Sequence, residues 1–399
     1  MRTPRRLATA LTALSAAAMV AVSPGIAAAD SVRSQSWQMD NLHVTDAQAL
    51  SRGKGVVVAV IDDGVQTDHP DLTGNVLPGV DIYTGKPQAV ENGEYHGTQM
   101  AALIAGHGHG NGNRDGVLGI APDAAILPIK ISYDGSLGDA NNVTVAIRWA
   151  LTHGADIISI SLSVSFDADL PAALDAASAK NVPVIVGAGN DLPSALTALD
   201  GTVPVVALGP DGRIDPVSQG VDGRNGLAAP GADIPVPTGP GTYAPGTGTS
   251  YSTAIVAGAF ALARAKYPTL TAEQLTALFY RHATDLGDRG PDVVYGNGGL
   301  NVLDALNDPA PITANTPSPS AAAAPVTAQS GLSAAVVLAG VLVLVLLLGV
   351  VVAVVALIFV RSRRRRIPDG AAPARLPVTG QPRAPLGTSH GKDDRWTTP

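Results

Sequence analysis

The chain has 399 residues, 46% of them hydrophobic and 15% charged, with a net charge of −7 and no cysteine. It is too apolar and too weakly charged to be a disordered chain, and the missing thiols exclude disulfide frameworks, thiolate metal sites and cysteine nucleophiles. Residues 1–29 carry +3 and 361–399 carry +6, which leaves −16 on 30–360 and argues against nucleic acid as a partner.

In chain order, Arg2, Arg5 and Arg6 lead into an apolar run over 7–22, and Ala27-Ala28-Ala29 precede Asp30. Basic, apolar and small-residue regions in that order read as a secretory signal peptide over 1–29, cleaved after Ala29. The 30–61 stretch supplies the segment 37–52 and a first strand, which leaves no room for a further folded domain ahead of that strand. That strand is the β-branched run 55–61, which stops at Asp62-Asp63-Gly64.

Next comes His69-Pro70-Asp71-Leu72, and then His96 opens an apolar helical segment over 96–106. The Gly/Asn-rich 106–116, with His107-Gly108-His109, reads as a surface loop rather than a metal site. Asp63, Asp68 and Asp71 read as solvated turn acids, because no spaced loop of oxygen ligands surrounds them as calcium requires. No metal and no cofactor is expected.

Further apolar runs at 125–131, 156–162, 182–188 and 203–208 are separated by helical patterns at 139–152 and 170–180. Strands apolar on both faces and spaced by helices predict an α/β fold with a mainly parallel sheet covered on both sides. Such sheets place functional groups at the carboxyl ends of their strands. Gly187-Ala188-Gly189 lacks the third glycine of a dinucleotide fingerprint. Ser250 lies in Gly248-Thr249-Ser250-Tyr251-Ser252, a small-residue turn running into a helix.

Beyond the body, 309–331 is rich in Pro, Ala, Ser and Thr and reads as an extended stalk. The stretch 332–360 has no charge and ends at a run of arginines from Arg361 to Arg366. That is a transmembrane helix with its positive side in the cytoplasm, followed by a basic tail over 361–399. The expected topology is single-pass type I, with the 30–308 domain outside the cytoplasm. Leu376-Pro377-Val378-Thr379-Gly380 looks like a sorting motif, but it follows the span instead of preceding it.

Asp62 at a strand end, His96 at a helix start and Ser250 at a second helix start occur in the chain order of the subtilisin triad. On these motifs the chain resembles the subtilisin-like serine proteases over about 35–308. His69-Pro70-Asp71-Leu72 and Gly119-Ile120-Ala121-Pro122 add to the likeness. The resemblance implies a three-layer fold, with Asp62, His96 and Ser250 catalytic and peptide bonds hydrolysed through an acyl-enzyme.

It further implies an oxyanion donor at Asn190 and substrate-binding segments at Ser161, Leu162, Ser163 and at Gly187, Ala188, Gly189. Ser163 stands where the family usually has glycine. The signal peptide, stalk and C-terminal span resemble the mycosins, membrane-anchored subtilisin-like proteases of type VII secretion systems. Mycosins often carry cysteines, which this chain lacks. The implied partners are a protein or peptide substrate, the membrane and type VII membrane components. Two other readings stay open: a structural part of the secretion complex with a protease fold, and a general wall-associated protease.

Overall fold

The computed structural model describes residues 32–88, 95–131, 140–165, 167–190, 192–221 and 225–309. The expected signal peptide, stalk, membrane helix and tail lie outside the described residues. Among those described, no helix is long and apolar enough to cross a membrane.

A seven-stranded parallel sheet forms the centre, in the order β2-β5-β1-β6-β7-β8-β9. Its strands are β1 (Val57–Asp62), β2 (Val80–Asp81), β5 (Ala125–Lys130), β6 (Ile157–Ile160), β7 (Val184–Gly187), β8 (Thr202–Leu208) and β9 (Leu227–Pro230). Two antiparallel hairpins flank it, β3 (His107–His109) with β4 (Asp115–Leu118), and β10 (Ile234–Gly239) with β11 (Thr242–Gly246).

Successive side chains of a strand point to opposite faces, and both faces of β1 are covered, so β1 is apolar from Val57 to Ile61. Val58 and Val60 face a core built with Met100, Leu103 and Ile104 of helix α1 (His96–Ala105) and Ile255, Val256 and Phe260 of α4 (Thr249–Lys266). Ala59 and Ile61 face the opposite core, with Val143 and Ile147 of α2 (Ala140–Thr152) and Leu170 and Leu174 of α3 (Leu170–Ala179). Each fully buried Val, Ile or Leu contributes about 1.5–3 kcal/mol, so two such cores fix which face each helix covers. The result is the three-layer α/β arrangement expected, with helices on both faces.

Helix α4 is buried along almost its whole length. Ala254, Ala257, Gly258, Ala259 and Ala261 keep it slim enough to lie against β6, β7, β8 and β9. The segment 32–52 is held on the body by long-range bonds. Arg33 Nε donates to the Gly116 carbonyl at 2.6 Å, Trp37 Nε1 to Ala232 at 3.0 Å and Gln48 Nε2 to Gly119 at 2.8 Å.

Two readings of the sequence need correction. His107 and His109 are not in a loop: they form β3, and His109 Nδ1 lies 2.6 Å from Asp71 Oδ1. Asp71 is fully buried rather than solvated. Its Oδ2 accepts from the Val117 N–H at 2.9 Å and the Tyr243 hydroxyl at 3.0 Å, so one carboxylate ties both hairpins to the turn after β1. Asp63 is buried as well, for a reason that belongs to the site.

Candidate active site

Five segments reach one cleft because each ends or begins at the carboxyl edge of the parallel sheet. Asp62 is the last residue of β1, Ser161 follows β6, Gly187 ends β7, and His96 and Ser250 lie in the first turns of α1 and α4. The cleft encloses about 340 Å³ and is lined by His96, Ser161, Leu162, Ser163, Gly187, Gly189, Asn190 and Ser250, among others. Ala188 is fully buried behind it.

Asp62 is buried, and its Oδ1 lies 2.7 Å from His96 Nδ1 while also accepting the Asp63 N–H at 2.8 Å. Its Oδ2 is buried without a hydrogen-bond partner among the described residues. A carboxylate on Nδ1 leaves Nε2 as the basic nitrogen of the ring. Burial depresses the His96 pKa, but the Asp62 charge and hydrogen bond, with the Asp63 charge behind them, outweigh it. The net pKa is above the ordinary histidine value.

Asp63 holds the backbone of the same histidine. Its Oδ2 accepts the His96 N–H at 3.2 Å and its Oδ1 the Gly97 N–H at 2.7 Å, two of the first-turn donors that a helix cannot satisfy internally. Two successive carboxylates thus grip His96, one by its ring and one by its main chain. Gly97 makes this approach possible, because a Cβ there would collide with the Gly64 carbonyl and press within 3.0 Å of both Asp62 and Asp63. Burial and then the adjacent Asp62 charge push the Asp63 pKa up to about 6.

The Asp-Asp-Gly triplet was visible in the sequence, but a carboxylate after a strand looks the same whether it faces water or a distant helix. Asp63→Asn removes one charge that raises the His96 pKa while keeping an acceptor oxygen for the helix. The acid limb of kcat/KM is expected to move to lower pH, read from a pH–rate profile of a peptide substrate. A limb that stays in place would show that Asp63 acts on the helix alone.

The hydroxyl of Ser250 donates to the Ser161 carbonyl at 2.9 Å, and the Ser161 hydroxyl donates back to the Ser250 carbonyl at 3.2 Å. Among the described contacts Ser250 makes no hydrogen bond to His96; a side-chain rotation must bring the two together. Asn190 Oδ1 accepts from the Thr249 N–H at 3.0 Å and the Thr249 hydroxyl at 3.2 Å. Among the described residues the Nδ2 hydrogens of this cleft-lining side chain meet no acceptor. The Ser250 N–H, in the first turn of α4, is also without an intrahelical acceptor. Among the described residues no group of three or more His, Asp or Glu side chains is arranged to hold a metal ion.

A hydroxyl, an imidazole oriented by a buried carboxylate, and two N–H donors in one cleft on a parallel α/β sheet define a serine endopeptidase of the subtilisin type. Residues 53–298 match the Subtilase family, peptidase S8, and the chain belongs to that family. It is 33% identical over 261 residues to subtilisin E of Bacillus subtilis (strain 168), covering 63% of this chain and 66% of that one. Against subtilisin of Bacillus pumilus the identity is again 33%, and the match spans 91% of that protein. Among solved structures it is similar to MycP1 with its N-terminal propeptide removed. The identity is 26% and the TM-score 0.59, over 71% of this chain and 98% of the other.

Proposed function

We propose that the protein cleaves peptide bonds of extracytoplasmic proteins as a membrane-anchored, mycosin-like protease of a type VII secretion system. Ser250 attacks the scissile carbonyl as His96 Nε2 takes its proton, and Asp62 stabilises the imidazolium that forms. The Asn190 amide and the Ser250 N–H receive the developing oxyanion. His96 then protonates the leaving amine, and water, activated by the same ring, releases the acyl group from Ser250. The single observation that carries the chemistry is the cleft that gathers His96, Asn190 and Ser250, with buried Asp62 bonded to the His96 ring.

The secretion reading is supported by the likeness to MycP1 and by the two ends of the chain. The leader 1–29 and the charge-free 332–360 followed by arginines support a type I orientation with the 30–308 domain outside. A fluorophosphonate probe added to intact cells is expected to label the protein, with the adduct on the peptide containing Ser250. External protease is expected to cut within 309–331 and to spare a tag fused after Pro399. An unlabelled protein would sink the chemistry; loss of the C-terminal tag from outside would sink the topology.

Ser163 bears on substrate breadth. It lines the cleft half-buried on the segment where a substrate backbone would pair as an added strand. A side chain there crowds the groove and favours few sequences by excluding others. Ser163→Gly is expected to raise the rate and the number of sites cut in unfolded casein severalfold, as mapped by mass spectrometry. An unchanged cleavage map would rule this out.

A further inference from the structure

Tyr251 directly follows Ser250 in the first turn of α4, and Gln99 lies one turn past His96 on α1. The Tyr251 hydroxyl donates to Gln99 Oε1 at 3.1 Å. Gln99 Nε2 in turn donates to the Pro237 carbonyl of β10 at 3.0 Å, which fixes the amide's orientation. The Tyr251 ring stands edge-on to the His96 imidazole, with centroids 6.4 Å apart and planes at 61°. Gly246 of β11 lies against the same ring: a Cβ added there would fall 2.5 Å from it and from its hydroxyl. The ring is therefore walled by hairpin and histidine, and its polar tip is anchored on the helix of the base.

We propose that Tyr251 is a positioning residue that, through its hydroxyl bond to Gln99, sets the spacing between the helix carrying His96 and the helix carrying Ser250. This rests on the serine-peptidase reading of the cleft. Neither side chain needs to touch the reacting atoms. Proton transfer from Ser250 to His96 depends on alignment to within a fraction of an ångström, and a displacement of about 1 Å can cost about 10²-fold in rate. A cross-link between the residue after the nucleophile and the residue one turn past the base acts on that alignment directly. Burial, followed by the Asp62 charge, holds the Tyr251 phenol above the ordinary tyrosine range, so it remains a donor at neutral pH.

The test compares wild type with Tyr251→Phe, Gln99→Leu and the double variant in the full-length chain. It reads kcat and KM on a peptide substrate and the rate of fluorophosphonate labelling at Ser250. Tyr251→Phe keeps the ring and its packing, so the thermal midpoint is expected to move little. Each single change is expected to lower kcat and the labelling rate by about fivefold to tenfold with KM nearly unchanged. The double variant should lose no more than the worse single, because the two residues act through one bond.

A rise in KM at unchanged kcat would overturn the proposal and make Tyr251 a substrate contact. Multiplying losses in the double variant would overturn it too, since the residues would then act independently. Wild type that labels no faster than the variants would sink this proposal alone; wild type that does not label at Ser250 would sink the nucleophile assignment with it.

Discussion

Replacing Ser250 by alanine is expected to lower kcat on a peptide substrate by about 10⁵–10⁶-fold and to abolish fluorophosphonate labelling. The hydroxyl assigned as nucleophile is removed, and no cysteine exists anywhere in the sequence to substitute for it. The fold should survive the change. Ser250 is 9% exposed, and its lost hydroxyl frees only the Ser161 carbonyl at the open cleft, where water can replace it. The stability cost should stay within about 1 kcal/mol, measurable by urea denaturation. Hydrolysis persisting within tenfold of wild type would place the nucleophile elsewhere.

Asp62→Asn carries the second largest effect, an expected loss of about 10³–10⁴-fold in kcat. The carboxylate now offers one oxygen to both the His96 ring and the Asp63 N–H, while its other oxygen lies buried and unbonded. An asparagine keeping its oxygen in the first position must bury its NH₂ where Oδ2 has no partner. Turned over, it presents that NH₂ to Nδ1 and forces the tautomer that protonates the wrong nitrogen. In both settings the imidazolium loses its counter-charge. Since the Asp62 charge and hydrogen bond help raise the His96 pKa, the acid limb of kcat/KM should also shift to lower pH. A variant with near-normal kcat would show that the pair orients nothing the reaction needs.

The central sheet is legible in the sequence because burial on both faces writes itself as an unbroken apolar run. The runs at 55–61, 125–131, 156–162, 182–188 and 203–208 become β1, β5, β6, β7 and β8 within a few residues. The hairpin β10–β11 is not legible that way. Ile234-Pro235-Val236-Pro237 puts two prolines in a strand, which normally counts against one, and the pairing survives because this hairpin is separate from the main sheet. Helix α5 (Ala272–His282) could have been found from its capping box, in which Thr271 and Gln274 bond reciprocally.

The cleft is legible in its ends and helix starts, but its support is not. Asp63 bonds to backbone N–H groups of α1, Asp71 to a strand and a tyrosine far along the chain, and Tyr251 to Gln99. Each of these bonds joins residues that only the fold makes neighbours. A single sequence carries no mark of such pairings.

The burial of α4 has a kinetic consequence. Strand β1 pairs with β5 and β6, so even the first strand waits for residues up to about 160 before both its neighbours exist. Helix α4 comes later still, and a helix apolar nearly all round has no stable resting place until β6 to β9 have formed a floor for it. Ser250 sits on that helix, while Asp62 and His96 arrive early. A chain emerging amino-terminus first therefore holds an aspartate and a histidine for most of its passage without a nucleophile opposite them. Long-range parallel pairing also makes such domains slow to fold. The cleft is thus the last part of the domain to be completed, because Ser250 joins Asp62 and His96 only when the final third of the domain is in place.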